Sequence, residues 1–356
     1  MERNILVLFG GCSPEHDISK KSVQTVLNAL NGNTIIPVYI TREGKWLMYD
    51  GKPDNVQGIN WEKFGTPAVL SPDRVNRGLL RIVSGKVKIV PIDVVFPVLH
   101  GPNGEDGTIQ GLCELANIPY VGCNVAASAA AMDKAIMKLV ARGLKIPQAD
   151  FLTFGADEIY TDEAAVLKKI RYKIGYPCFV KPSACGSAIG VSKASDKKEL
   201  TAAIYDALKF DSRIVVEKGI EGREIEVGIL GAGIAAKASV PGEIIPAGEF
   251  YDFESKYQSP DSQEIVPADI PEKTAEQIQK YALEIFRALG GSGMSRVDFF
   301  LTNDGEGDGK ILFNEINTVP GFTAISMYTK MWEASGVPRQ QLMEILIGIA
   351  LTKHEG

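Results

Sequence analysis

Arg296-Val297-Asp298 and, one glycine-rich stretch later, Asn314-Glu315-Ile316-Asn317-Thr318-Val319-Pro320-Gly321 hold the residue types best suited to chemistry in this chain. Both lie in apolar runs rich in branched and aromatic residues, 294–301 and 311–316, and the intervening Asn303-Asp304-Gly305-Glu306-Gly307-Asp308-Gly309 has the composition of a hairpin loop. Side chains two apart on a strand share a face, so Arg296 and Asp298 project together from one strand, and Glu315 and Asn317 from its neighbour. Two carboxylates brought to ~4 Å at an effective dielectric of ~20 repel by about 4 kcal/mol. They must share a proton, lean on the arginine or hold a cation. An all-oxygen Asp/Glu/Asn set is what Mg²⁺ prefers, commonly beside substrate phosphates. The competing reading is a solvated hairpin with ordinary surface charges. The apolar strand around Glu315 and Asn317, which leads straight into Pro320-Gly321, argues against it.

Four other segments carry weaker signals. Lys181-Pro182-Ser183-Ala184-Cys185-Gly186-Ser187-Ala188-Ile189-Gly190 sits between two apolar strands, where small residues let backbone N–H groups approach an anion and Lys181 adds a point charge. A plain strand-to-strand turn would need the same small residues. His100-Gly101-Pro102-Asn103-Gly104-Glu105-Asp106-Gly107 follows a strand and leads into a helix, which places a histidine and acids at the carboxyl end of a strand; a glycine-rich connector fits it equally well. Gly10 to Ser19, with Glu15 inside it, reads either as a site or as a helix-capping segment. Phe250-Tyr251-Asp252-Phe253-Glu254-Ser255-Lys256-Tyr257 mixes aromatics and charges without periodicity, which suits a loop that closes over a ligand. No GxxxxGK[ST] and no GxGxxG after a strand is present, so nucleotide binding would take another form.

The elements that must position these residues alternate in type. A strand over 4–9, a helix over 18–30 and a strand over 34–40 make a βαβ unit. A strand over 93–99, a helix over 108–116 and a further strand over 119–122 extend what reads as an open, largely parallel sheet. A helix over 132–144 opens a second region, with strands at 178–181, 191–194 and 214–217 and a helix over 196–208. Past Arg223 the chain is strand-rich, with helices at 272–289 and 328–334. Joints are expected near 120–132 and 218–222, which gives three domains, 1–122, 123–218 and 219–356. The fold class is α/β (α+β).

Composition narrows the function classes. The 356 residues, 45% hydrophobic and 23% charged, are those of a soluble globular chain, and a net charge of -6 with no basic run argues against nucleic acid. No apolar run reaches the ~20 residues that span a bilayer, and no signal-peptide pattern opens the chain, so a cytoplasmic protein with no membrane partner is expected. Five cysteines without CxxC spacing fit reduced thiols. His16, His100 and His354 are scattered and make no zinc pattern.

Taken together, the ordered motifs resemble the D-alanine–D-alanine ligases of the ATP-grasp superfamily nearly end to end. They are Gly10-Gly11-x-Ser13-x-Glu15-His16-x-Ile18-Ser19, His100 to Gly111, Met132-Asp133-Lys134, Lys181 to Ser187, Glu217-Lys218, Phe250 to Tyr257, Ser295 to Asp298 and Asn314 to Gly321. The resemblance implies a three-domain ATP-grasp ligase with an N-terminal open parallel sheet, which joins two D-alanines at the expense of ATP through a D-alanyl phosphate, for peptidoglycan precursor synthesis. It also implies small-molecule substrates, D-alanine and ATP, and a homodimer. Carried over by residue, Lys134, Lys181 and Lys256 contact ATP phosphates, with Ser187 in the phosphate loop. Glu217 and Glu224 hold adenine and ribose, and Lys218 and Ile220 line the adenine slot. Asp298, Glu315 and Asn317 hold two Mg²⁺ ions, with Mn²⁺ as a substitute. Glu15 binds the first D-alanine's ammonium and forms a closing set with Ser187 and Tyr257. Arg296 and the Gly321 N–H stabilise an oxyanion, while His100, Ser326 and Met327 position substrates.

Two departures stand out. The phosphate loop reads Ala184-Cys185-Gly186-Ser187-Ala188 where relatives often have a charged pair and a second serine, so a hydroxyl contact at 188 is lost. Tyr257 stands where relatives that form a D-lactate ester have histidine. The alternative substrate is D-serine in second place, against which Ser326-Met327 resembles the D-alanine-selective pattern. A non-catalytic nucleotide sensor on the same scaffold would have lost a metal ligand or Arg296, and neither is lost.

Overall fold

The computed structural model describes residues 2–30, 32–49, 51, 56, 60–245, 263–302, 309–323 and 326–355. Three sheets organise them, and each is built from apolar strands whose alternation decides which side faces solvent or cleft.

The first sheet begins with β1 (Asn4–Gly10), whose Ile5 to Phe9 are buried without a polar interruption, as a strand covered on both faces requires. Helix α1 (His16–Ala29) returns to β2 (Thr34–Ile40), parallel to β1. Then come β3 (Trp46–Met48), α2 (Trp61–Phe64), β4 (Thr66–Leu70), β5 (Gly78–Val83), β6 (Lys86–Pro91), β7 (Val94–Val98) and α3 (Thr108–Ala116). The strand order is β6-β5-β4-β3-β2-β1-β7. Only β2, β1 and β7 run parallel; β3 to β6 add antiparallel strands at one edge. The expected parallel sheet is therefore the core of a mixed one. The links 40–46, 70–78 and 83–86 are too short for the crossover that a parallel pair requires, while β3 reaches β4 by way of α2. The strand expected at 119–122 is a single bridge, Tyr120 to Val95. Pro119 has no N–H to donate, and Gly122, at φ 112, turns the chain away.

The second region opens with α4 (Val125–Met132) and α5 (Lys134–Gly143), two helices where one was expected. The break falls at Asp133, whose carboxylate accepts from the N–H groups of Ala135 (3.0 Å) and Ile136 (3.1 Å) and so starts a new helix. Then follow β8 (Phe151–Gly155), α6 (Ala156–Thr161), α7 (Glu163–Lys173), β9 (Cys178–Pro182), β10 (Ser192–Ala194), α8 (Lys197–Ala207) and β11 (Arg213–Lys218), in an antiparallel sheet ordered β10-β9-β11-β8.

The third sheet holds β12 (Gly222–Ala232), β13 (Lys237–Ala238), β14 (Gly242–Ile245), β15 (Gln263–Ile265), β16 (Ser292–Thr302) and β17 (Ile311–Asn317), with α9 (Glu272–Ala288), α10 (Met327–Ala334) and α11 (Arg339–Glu355). Ile225, Val227 and Ile229 of β12 and Val297, Phe299 and Leu301 of β16 point into a core closed by Ile278, Ala282 and Ile285 of α9, spaced one and two turns apart. The alternate residues, Glu224, Glu226, Arg296 and Asp298, are left on the opposite face. Helices α4 and α5 pack on this same core through Ala127, Ala131, Met137 and Ala141. Helix α11 packs Leu342, Met343, Leu346 and Ile347 against Ile5, Val7 and Val23 of the first region, so the ends of the chain share one core.

Candidate active site

The three sheets enclose a cleft of about 1310 Å³. Glu15, His100, Lys134, Lys181, Ser187, Glu217, Lys218, Ile220, Glu224, Arg296, Asp298, Glu315, Asn317, Gly321, Ser326 and Met327 all line it. Lys256 and Tyr257, expected on the closing loop, lie outside the described residues.

The floor is the β12–β16–β17 face. Arg296 pairs in register with Asn317, and Asp298 with Glu315. Immediately beyond, the ladder slips: Phe299 pairs with Phe313, leaving Asn314 as an extra residue. The bulge has a packing cause. Phe313 and Ile316 are both buried although three residues apart, and only an inserted residue lets both face the core while Glu315 and Asn317 face the cleft. The Arg296 guanidinium spans Asp298 with two parallel hydrogen bonds of 2.8 Å and reaches Glu226 at 3.2 Å. Burial disfavours its charge, but Asp298 and Glu226 outweigh that and hold its pKa well above the ordinary arginine value. It is a permanent cation at any working pH. The Asn317 side-chain oxygen accepts from the Val319 N–H at 2.9 Å, which shapes the turn to Pro320-Gly321.

At the other end, Lys134 and Lys181 converge on Glu217 and the small-residue loop. Lys134 Nζ donates to the Cys185 carbonyl at 2.5 Å, and its backbone N–H to Ser183 O at 2.8 Å. Lys181 Nζ stands 3.2 Å from Glu217 Oε2. Burial draws the Lys134 ammonium below its ordinary 10.5, with Glu315 and Glu217 opposing. Burial would raise Glu217, but Lys138 and Lys181 outweigh it and hold the carboxyl below its usual value of 4.5. In the loop, Ser187 and Ala188 are left-handed, at φ 48 and 56. That region costs a non-glycine residue roughly 1–2 kcal/mol. Among the described residues no hydrogen bond takes up the N–H groups of Gly186, Ser187 and Ala188, and all three residues line the cleft.

The third wall comes from the first region. Ser187 Oγ donates to the Glu15 carboxylate across the cleft mouth. Gly101, at φ 70, makes room for that carboxylate: a Cβ there would fall 2.3 Å from Glu15 Oε2. Ser13 Oγ donates to His100 O at 2.7 Å and accepts from the Glu15 N–H at 3.1 Å, which ties the two segments together. His100 is buried, with Glu105 Oε1 3.6 Å from Nδ1 and Ser22 Oγ 3.3 Å from Nε2. Burial works against the imidazolium, but Glu105, aided by Glu15, outweighs it, so His100 titrates above its ordinary 6.5. Ser326 precedes α10, and its Oγ accepts from the Thr323 N–H at 2.9 Å and would meet a Cβ at Gly321 at 2.9 Å. The α10 N-terminus thus opens beside Gly321.

Two buried residues that sequence reasoning missed complete the charge pattern. Glu226 lies two residues after Glu224, on the cleft face of β12. Lys138 lies one helical turn after Lys134. Both spacings, i+2 on a strand and i+4 on a helix, were signals in the sequence. Among the described residues no cluster of three His, Cys, Asp or Glu side chains forms a metal cage. A site there would rest on Asp298, Glu315 and an amide oxygen.

Residues 4–123 match the family model of the D-ala D-ala ligase N-terminus, and residues 140–348 that of the D-ala D-ala ligase C-terminus. Curated relatives include the D-alanine–D-alanine ligase of Acetivibrio thermocellus, 47% identical over 99% of this chain and 97% of the relative. That of Caldicellulosiruptor bescii is 44% identical over 98% and 95%. Among solved structures, the VanG D-Ala:D-Ser ligase from Enterococcus faecalis superposes with a TM-score of 0.88 at 38% identity, covering 98% of this chain and all of that one (100%). The D-alanine-D-alanine ligase from Coxiella burnetii superposes at 0.83 and 35%, covering 99% and 96%.

Proposed function

We infer the reaction from one premise: the chain belongs to the D-alanine–D-alanine ligase family. It is an ATP-dependent ligase that joins two D-alanines, and its product serves peptidoglycan precursor synthesis. The observation that carries the residue assignment is the convergence of a lysine-rich end, an acidic floor and the Glu15–Ser187 wall on one cleft.

In the proposed mechanism, Lys134, Lys181 and the N–H groups at 186–188 receive the ATP phosphates, joined by Lys256 from the closing loop. Glu217, Lys218 and Ile220 border the adenine, and Glu224 the ribose. Glu15 takes the ammonium of the first D-alanine, with Ser187 and Tyr257 closing over it. The carboxylate oxygen of the first D-alanine attacks the γ-phosphorus, ADP leaves, and a D-alanyl phosphate results. The amine of the second D-alanine then attacks the acyl carbon, and the oxyanion that forms meets Arg296 and the Gly321 N–H. Collapse expels inorganic phosphate and the amine proton is lost. His100, Ser326 and Met327 orient the carboxylates, Ser326 and Met327 from the N-terminal end of α10.

Asp298, Glu315 and Asn317 fit Mg²⁺: the donors are all oxygen, and Asp298 and Glu315 are register partners whose like charges a cation would offset. Two Mg²⁺ ions held there, or Mn²⁺ in their place, would draw charge off the transferring phosphoryl group.

We assign three units, 1–122, 123–218 and 219–356, following the three sheets, and a cytoplasmic homodimer as the family resemblance implies. Among the described residues no helix is long and apolar enough to cross a membrane. Incubation with ATP, Mg²⁺ and D-alanine should release phosphate and dipeptide one for one. ADP formation only with another amino acid would overturn the assignment, and competition with D-serine across pH reads out the second-site preference.

A further inference from the structure

Lys138 has no part in the steps above, yet it is 1% exposed, among the most deeply buried charged groups in the chain. It does not line the cleft but stands behind its wall. Its Nζ lies 5.7 Å from the Phe151 ring centroid and 3.2 Å from Glu217 Oε2. Phe151 and Glu217 are register partners across β8 and β11, so the ammonium approaches both from α5. Glu217 Oε2 also meets Lys181 Nζ at 3.2 Å, while Glu217 Oε1 is buried and has no hydrogen-bond partner among the described residues.

Two ammonium groups on one oxygen are an asymmetric clamp. With Lys181 alone, the carboxylate could turn and offer it both oxygens. With Lys138 fixed behind it on the helix, Oε2 is held back and Oε1 is the acceptor left without a partner on a residue that lines the cleft. A buried carboxylate oxygen without a donor is unfavourable, so the arrangement calls for an N–H from a ligand. A lysine at this depth is itself unfavourable unless paired, and burial draws its pKa below the ordinary 10.5.

We propose that Lys138 is a positioning residue that holds Glu217 Oε2 jointly with Lys181, so that Oε1 faces an exocyclic N–H donor and the site takes a 6-aminopurine over a 6-oxopurine. A 6-oxo group would set an acceptor against Oε1, leaving both unpaired. The proposal rests on reading the cleft as the ATP site.

The test compares ATP with inosine triphosphate, in which an oxo group replaces the 6-amino group. Lys138→Met should lower the ATP-over-ITP ratio in kcat/KM by about tenfold or more. The change should come through a raised KM for ATP, with kcat and the KM for D-alanine within about twofold. Glu217→Gln should lower the same ATP-over-ITP ratio, and the double variant should lower it no further than Glu217→Gln alone, because the two act as one device. An unchanged ratio in Lys138→Met, or additive losses in the double variant, overturns the proposal. If Lys138→Met does not fold, Lys138→Gln carries the same comparison. Calorimetric binding of ATP and ITP separates the two levels of inference: a parent that binds ATP over ITP but makes no dipeptide sinks the ligase assignment and still decides the role of Lys138.

Discussion

Asp298 and Glu315 are register partners across β16 and β17, and the ladder slips by one residue immediately beyond them. The bulge at Asn314 lets two carboxylates face the cleft while Phe313 and Ile316 both stay in the core. Their mutual repulsion is offset in part by Arg296, which grips Asp298 alone with two hydrogen bonds. Glu315→Gln should therefore cut turnover on the order of a hundredfold or more, since the cation it would hold loses a charged ligand. Stability should stay level or rise by up to about 1 kcal/mol, because a like-charge cross-strand pair is removed. Turnover at saturating Mg²⁺ and a urea unfolding curve check the two halves. Activity within a few-fold of the parent would mean that Glu315 holds no metal.

Ser187 donates to Glu15 across the mouth of the cleft, joining segments 172 residues apart. A hydrogen bond to a charged group contributes about 1.5–3 kcal/mol. Ser187→Ala should lower kcat/KM for D-alanine by about 10- to 100-fold, with the KM for ATP within a few-fold. Tyr257→Phe should raise the KM for D-alanine in the same direction. A Ser187→Ala enzyme with unchanged D-alanine kinetics would show that the contact is structural only.

Asp133 joins local and tertiary structure. It caps α5 through two N–H groups, accepts from Ser183 Oγ at 2.8 Å and pairs with Arg213. Arg213 is 42% exposed, so that ion pair adds little, and the cap and the serine carry the effect. Asp133→Ala should cost roughly 2–3 kcal/mol, read from the urea midpoint. Asp133→Asn, which keeps the accepting oxygen, should recover most of it. Equal losses in both variants would put the energy in the charge and not in the cap.

How much was legible in the sequence depended on what a residue's neighbours could reveal. That Arg296 and Asp298 share one face, and Glu315 and Asn317 that of the neighbouring strand, followed from strand periodicity; which residue pairs with which comes from the register. The bulge at Asn314 did not, because a period of two cannot announce its own interruption. Helix α4 was missed because Val125-Ala126-Ala127-Ser128-Ala129-Ala130-Ala131-Met132 is small all round and has no polar face. Of the strands β3 to β6, β3 spans three residues and β6 leaves Lys86 to Ile89 exposed, so neither offers a buried run to read, and the pairing of all four is not encoded by propensity. Lys138 and Glu226 fell outside the motifs considered, although each follows a motif residue by one structural repeat.

His100 supplies a pH dependence whose sign can be worked out. Its folded pKa lies above 6.5, through Glu105 and against burial. A raised pKa stabilises the fold below the unfolded value, and the effect fades as pH rises through the folded one. Glu105→Gln removes the carboxylate while keeping an oxygen for the Gly101 N–H, which now donates to Glu105 Oε1 at 3.1 Å. The stability gap between parent and variant should thus be widest below about pH 6.5 and close toward alkaline pH, in unfolding curves from about pH 5.5 to about pH 9. A gap that is constant with pH would mean that His100 does not titrate in response to Glu105.

Arg296 can be tested apart from the metal ligands because its charge is not its only asset. The guanidinium spans Asp298 with two bonds, reaches Glu226 at 3.2 Å and is 17% exposed. Arg296→Lys keeps the positive charge, but an ammonium is a point donor that cannot span Asp298 and still reach toward a forming oxyanion. Loss of one preorganised donor to an oxyanion typically costs about 10²- to 10³-fold in kcat. Arg296→Lys should therefore lower kcat by about a hundredfold while the KM for ATP moves by no more than a few-fold. Formation of the acyl phosphate precedes the oxyanion and should suffer less, so trapping with hydroxylamine should still give hydroxamate at a rate nearer the parent's. If hydroxamate and dipeptide formation fall together, Arg296 acts before the amine attacks, and its assignment to the oxyanion fails.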